Sequence, residues 1–227
     1  LHVRSRRQRQ MCIRDRRYKH IIFDIDGTLI DTEYAVIHSL IKTITKITGN
    51  VPQYEDLKFV LGITGKDALK RLKIDDIDRG LEIWDTNMKS YYHTIHPFQG
   101  IKECLNYLLS NKYVSGIVTS KTYMEYHTDF TPLGLANYFT TVVCADDTVE
   151  HKPQAAPLLA YLSKAKINPV DAIYIGDSIY DIQCATSAGV DSGLVLWSGT
   201  SPDSIKANYY FKTPDDICRM LSDFHPT

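Results

Sequence analysis

The stretch "YKHIIFDIDGTLIDTE", residues 18–33, ends a β-branched apolar run in two aspartates, Asp24 and Asp26, and follows them at once with Gly27 and Thr28. Taken alone, Asp26-Gly27 between apolar residues is a hairpin signal, a tight turn joining two antiparallel strands. A calcium loop is excluded by spacing, because the twelfth position from Asp24 holds Ala35 instead of the required Glu. The residues beyond the stretch decide between the hairpin and a parallel strand with carboxylates at its carboxyl end.

Downstream, "SGIVTS", "TTVVCADD", "AIYIGD" and "GLVLW" are short apolar runs bounded by Gly, Asp or Ser, the pattern of buried parallel strands. Between them "GIKECLNYLLSNK", "KPQAAPLLAYLSKAK" and "DIQCATSAG" carry apolar residues at three- and four-residue steps, as crossover helices do. Residues 33–96 have another texture, almost without strand-like runs. Val36, Ile37, Leu40, Ile41, Ile44 and Ile47 form a helical stripe ending at Gly49, and "DRGLEIWDTNMKSYYHTI" forms another before Pro97. A helical insertion directly after the first strand is not half of a hairpin. The expectation is an α/β, Rossmann-like parallel sheet formed by residues 17–32 and 97–227, with 33–96 as an inserted helical domain.

Residues 1–16 stand apart. "RRQRQMCIRD" resembles a translated frame of a transposon-derived sequencing adapter, so the segment is expected to lie outside the fold. It holds six Arg and one Asp, so the +5 it carries leaves −6 on the rest of a chain whose total is −1. A mildly acidic body argues against nucleic acid as a partner. No apolar run is long enough to span a bilayer, and Asp24 and Asp26 break the one nearest the basic N-terminus, so neither a membrane nor a signal peptide is expected. Cys104, Cys144, Cys184 and Cys218 show no metal-ligand or CxxC spacing, which suits a reducing, cytoplasmic setting without structural zinc or disulfides.

Polar residues recur at the ends of the strand-like runs: Thr119 and Ser120, Lys152 in a loop before a helix, Gly176 and Asp177, and Asp181 four residues on. Singly, each has an ordinary explanation as a helix cap, a solvated loop charge or a first-turn acid. Jointly they gather carboxylates, a hydroxyl and a lysine at one edge of one sheet.

In this arrangement the chain resembles a haloacid dehalogenase superfamily hydrolase of the phosphoglycolate-phosphatase-like branch, with a helical cap after the first motif. The motifs "DIDGT" at 24–28, Thr119 of "GIVTS", Lys152 of "HKP" and "GDSIYD" at 176–181 occur in that family's order. The resemblance implies a phosphatase acting on a small phosphorylated metabolite. Asp24 is its nucleophile, forming an aspartyl-phosphate, and Mg²⁺ is held by Asp24, Asp177 and the backbone carbonyl of Asp26. A hard cation with oxygen ligands also relieves the repulsion between carboxylates and a phosphate. Lys152 and Thr119 then stabilise the phosphoryl oxygens, Asp26 is the acid/base, and Asp181 supports Lys152 or a metal-bound water.

Within the family a sugar phosphomutase is the alternative, but such relatives usually lack the Thr that stands here at 28 and carry an acid where this chain has Gly176. A phosphoacceptor signalling module would have neither Asp26 nor the insertion, and a non-catalytic binding protein would lack a motif residue. In the cap, "LGITGKDALKRL" at 61–72 places Gly62 in a loop expected to dip toward the site. Lys66 beside it is a candidate for a second anion of the substrate, against the ordinary reading of a solvated helix-start lysine. Substrate contacts are thus expected from Thr119, Ser120, Lys152, Gly62 and Lys66.

Overall fold

The computed structural model of the chain describes residues 17–202 and 205–223, so the expectation for residues 1–16 lies outside the described residues. In chain order the strands are β1 (His20–Phe23), β2 (Ile30–Asp31), β3 (His96–Pro97), β4 (Val114–Val118), β5 (Phe139–Val143), β6 (Ala172–Gly176), β7 (Asp191–Val195) and β8 (Tyr209–Phe211). The longer helices are α1 (Glu33–Thr48), α2 (Gly65–Arg71), α3 (Ile77–Met88), α4 (Ile101–Ser110), α5 (Ala156–Ala165), α6 (Ile179–Ala188) and α7 (Pro214–Asp223).

Strand β1 pairs in parallel with β4 on one side and β6 on the other, His20 standing opposite both Val114 and Ala172. The full order is β5-β4-β1-β6-β7-β8, and every pairing in this six-stranded sheet is parallel. The chain winds outward from β1 through β4 and β5, then returns to β6 on the other side, so the ends of β1 and β6 flank the switch point where such sheets bind ligands. Asp26-Gly27 does make a tight turn, with Gly27 at φ +70° and its N–H donating to the Ile30 carbonyl at 2.9 Å. It leads away from the sheet into the insertion, not back along β1.

Alternation along β1 explains why the sheet is covered on both faces. Ile21 and Phe23 pack with Leu105 and Leu108 of α4 and Ile217 and Leu221 of α7, while Ile22 packs with Leu158 and Tyr161 of α5 and Cys184 of α6. Strand β8 and helix α7 are elements that apolar runs did not mark. The three residues Tyr209–Phe211 are too short a run to stand out, and one of them, Tyr210, is exposed.

Residues between β2 and β3 form helices with a hydrophobic cluster of their own, built on Ile37, Leu40, Ile44, Leu57, Ala68 and Leu69. Helix α1 ends where its stripe does, at Gly49, whose φ of +75° lets its N–H reach the Thr45 carbonyl. The second stripe is α-helical only to Met88 and continues as a 3₁₀ segment over Lys89–Thr94, a stretch of Ser, Tyr, His and Thr with low helix propensity. The insertion enters and leaves through a two-stranded ribbon, β2 antiparallel to β3, with Ile30 opposite Pro97. No helix among the described residues is long and apolar enough to cross a membrane.

Candidate active site

Each expected motif residue stands at or just past the carboxyl end of a central strand, in a loop beside it or, for Asp181, in the first turn of the helix that follows. Asp24 follows β1 and is buried, its N–H extending the ladder to the Ile175 carbonyl at 2.9 Å. Thr119 follows β4, also buried, its N–H donating to Val143 at 3.0 Å. Asp177 follows β6, and Ser178 caps α6 by accepting from the Asp181 N–H while the Asp181 side chain accepts from the Ser178 N–H. Lys152, from the loop before α5, is buried beside them.

Two glycines make this crowding feasible. A Cβ on Gly27 would collide with the Asp177 carboxylate, and a Cβ on Gly176 with the Asp181 carboxylate. Close approach of carboxylates, as well as turn geometry, is what these positions require.

Lys152 Nζ lies 2.7 Å from Asp181 Oδ1 and 3.0 Å from Asp24 Oδ1. Asp181 is saturated. Its Oδ1 accepts from Lys152 and lies 2.9 Å from the Tyr174 hydroxyl, and its Oδ2 accepts from the Ser178 N–H at 3.0 Å and the Ser178 hydroxyl at 2.5 Å. Asp24 is in the opposite condition: the contact to Lys152 is ionic without hydrogen-bond geometry, leaving Asp24 Oδ1 buried and without a hydrogen-bond donor.

The electrostatics follow from this inequality. Burial pushes the Asp24 carboxyl up to about 7 despite the opposing pull of Lys152, with Asp181 and Asp26 adding repulsion. Asp177 is likewise held well above the ordinary carboxylate range, first by burial and then by Asp181 and Asp24. For Lys152 burial acts downward, but the charges of Asp181 and Asp24 outweigh it and hold the ammonium firmly protonated. Oxygens of Asp24, Asp177 and Asp181 lie within 4.8 Å of one another. Because Asp181 is spent on Lys152, the Ser178 N–H and hydroxyl, and a Tyr174 hydroxyl it shares with the Val118 carbonyl, Asp24 and Asp177 are the carboxylates with capacity to spare, and an all-oxygen set of excess negative charge suits a hard divalent cation.

Asp26 points elsewhere. Its Oδ1 accepts from the Thr32 hydroxyl at 2.7 Å and pairs with Lys121 Nζ at 3.1 Å, and its carboxylate is not part of the three-aspartate group. Lys121 was not singled out from the sequence. It is buried, and it also pairs with Asp129 at 2.9 Å. The one signal available was a lysine directly after Thr119-Ser120, and a single charge beside a strand end is ordinarily solvated.

The insertion meets this edge of the sheet. Ser120 Oγ donates to the Gly62 carbonyl at 3.0 Å, Arg71 donates to the Tyr180 hydroxyl at 2.9 Å, and a Cβ on Gly62 would press on Ser178. Gly62 is thus brought to the site through its backbone, and Ser120 is engaged with it. Lys66 is not brought there. It is exposed on the first turn of α2, and Gly65, not Lys66, lines the cavity between insertion and sheet. That cavity, of about 400 Å³, opens onto Asp24, Asp26, Ser120 and Lys121.

A family model described as haloacid dehalogenase-like hydrolase matches residues 21–195. Among curated proteins, the chain is 27% identical over 210 residues to the pyrophosphatase PpaX of Bacillus velezensis, covering 92% of this chain and 95% of that one. It is 33% identical over 179 residues to a candidate pyrophosphatase PpaX of Caldanaerobacter subterraneus, covering 78% of this chain and 81% of that one. Among solved structures, a candidate phosphoglycolate phosphatase from Lactobacillus plantarum superposes with a TM-score of 0.82 at 29% identity, covering 89% of this chain and 99% of its own.

Proposed function

Since the chain belongs to the haloacid dehalogenase-like hydrolase family and is a phosphatase-type hydrolase, we propose that it hydrolyses a small phosphate monoester, in the manner of a phosphoglycolate phosphatase, through an aspartyl-phosphate on Asp24. The observation that carries the reading is the contrast between two aspartates one residue apart. Asp24 is buried, short of donors and paired with Lys152, whereas Asp26 turns away toward Thr32 and Lys121. A nucleophile and a proton carrier need that separation.

In the first step an Asp24 carboxylate oxygen attacks phosphorus and the bond to the leaving oxygen breaks, while Asp26 gives that oxygen its proton. In the second, water attacks the phosphorus of the aspartyl-phosphate, Asp26 takes the water's proton, and the Asp24 carboxylate leaves with its charge restored. Lys152, held by Asp181, counters charge on Asp24 and the phosphoryl oxygens, and Thr119 is the hydroxyl that donates to those oxygens. Asp24, Asp177 and the Asp26 carbonyl would hold Mg²⁺, which supplies neutralising charge and orients the phosphoryl group. Asp181 serves as the support for Lys152 and not as a ligand. Residues 17–32 and 97–227 are in this reading the catalytic core and 33–96 a cap that closes on it through Gly62 and Ser120.

The test is phosphate release from acetyl phosphate, a small and reactive phosphoryl donor, with and without Mg²⁺. Release that persists in the Asp24→Asn variant, or that is equal in the presence of a chelator, would overturn the assignment.

A further inference from the structure

The cavity above Asp24 is bounded by apolar side chains. Val60, at the end of a 3₁₀ turn, and Leu61 and Ile63 after it come from the segment before α2, and Leu81, Trp84 and Met88 come from one face of α3. Trp84 is fixed with its polar edge turned away, since its indole N–H donates to Ser39 Oγ at 2.9 Å, and the rest of the ring has no hydrogen bond to offer. Gly65 lets the loop pack closely on this wall, for a Cβ there would stand 3.1 Å from Leu81 and 3.7 Å from Trp84.

The charges lining the same cavity point the same way. Five carboxylates, those of Asp24, Asp26, Asp85, Glu125 and Asp129, face two lysines. Lys121 is already engaged by Asp26 at 3.1 Å and Asp129 at 2.9 Å, and Lys89 is exposed to water. Arg71 is tied to Tyr180, Lys66 stands outside, and no arginine lines the cavity among the described residues. A second phosphate or a carboxylate on the substrate would have to leave water for apolar walls and for carboxylates whose lysines are already taken by them, and neither an arginine fork nor an uncommitted buried lysine is there to receive it. The volume argues likewise. About 400 Å³ falls within the range of sites that take a ring-sized ligand, and pyrophosphate would leave most of it unfilled.

Resting on the hydrolase reading above, we propose that the substrate is a phosphate monoester of an uncharged, apolar or ring-bearing alcohol, whose organic part packs on Trp84, Leu81 and Met88. Esters carrying a second anion, such as phosphoglycolate, and pyrophosphate itself are disfavoured by the same wall.

The experiment compares kcat/KM for benzyl phosphate, methyl phosphate, phosphoglycolate and pyrophosphate with Mg²⁺ present, with acetyl phosphate as the control. Benzyl phosphate is expected to exceed both anionic substrates by at least about tenfold, the effect of burying a phenyl group against such a wall. In Trp84→Ala the ratio of benzyl to methyl phosphate should fall by about tenfold, and in Leu81→Ala, a smaller perturbation to folding, it should fall in the same direction. Acetyl phosphate turnover combined with a preference for phosphoglycolate or pyrophosphate, or ratios unmoved in both variants, overturns this inference and leaves the hydrolase reading standing. Acetyl phosphate left intact overturns both.

Discussion

Lys152 and Asp181 form a buried ion pair of 2.7 Å, closer than the 3.0 Å that separates Lys152 from the nucleophile candidate Asp24. Asp181 is the anchor of the lysine, and the Ser178 N–H and hydroxyl, with the Tyr174 hydroxyl beside them, fix it in turn. Asp181→Asn should therefore destabilise the fold by about 3 kcal/mol, the cost of breaking a buried pair from one side. It should also lower kcat by about 10- to 100-fold, as for partners that only orient a functional group. Urea denaturation and steady-state kinetics check the two parts. A loss of activity as complete as that of Asp24→Asn would place Asp181 among the reacting groups instead.

The metal-free protein should lose stability as pH rises from about 4 to 7. Asp24 has a folded pKa near 7 against an ordinary 3.8, so across that window the folded state binds more protons than the unfolded state. Its contribution is present at acid pH and is lost as pH rises through about 7, and Asp177 acts in the same direction. The Asp24 part, from 3.8 to about 7 at about 1.4 kcal/mol per pH unit, is on the order of 4 kcal/mol. Melting temperatures of wild type and Asp24→Asn in chelator, taken across this range, should converge at pH 4 and separate by pH 8 with the variant the more stable.

Mg²⁺ should raise the melting temperature at pH 8 and not in Asp24→Asn, since Asp24, whose Oδ1 lacks a donor, and the neighbouring Asp177 gain a counter-charge together only in the wild type. EDTA should abolish turnover and Mg²⁺ restore it. Ca²⁺, with its larger and looser shell, should bind yet support turnover poorly. Full activity in chelator would rule the metal out of the reaction.

The two aspartates of the opening stretch should separate by mass spectrometry. With an activated aryl phosphate, Asp26→Asn should still be phosphorylated on Asp24 and accumulate an adduct about 80 Da heavier, because no base remains to activate water. With an alkyl phosphate the same variant should be slowed by about 10² to 10⁴. Asp24→Asn should give no adduct with either. An adduct on the Asp24 variant would overturn the division of roles.

By itself the sequence was enough to determine the parallel sheet and to mark the polar residues that stand at the ends of its strands. Both depend on local order along the chain: β-branched runs of strand length, helical periods between them, and polar residues at the run ends, with a helical insertion between Asp31 and His96. It also marked the turn at Gly27 and the stop of α1 at Gly49, where a positive φ selects glycine.

What only the tertiary structure decided were relations between residues distant in sequence. Asp181 is revealed as a saturated anchor because Tyr174, Ser178 and Lys152 converge on it. Lys121 appears as a partner of Asp26 because β1 and β4 are neighbours in the sheet. Lys66 faces outward because the helical phase at the start of α2 turns Gly65, and not Lys66, toward the cavity. The apolar wall of Trp84, Leu81 and Met88 existed in the sequence only as one stripe among several. Which side of an amphipathic helix meets its own core and which meets a substrate is set by how the helices pack, and periodicity carries no record of that.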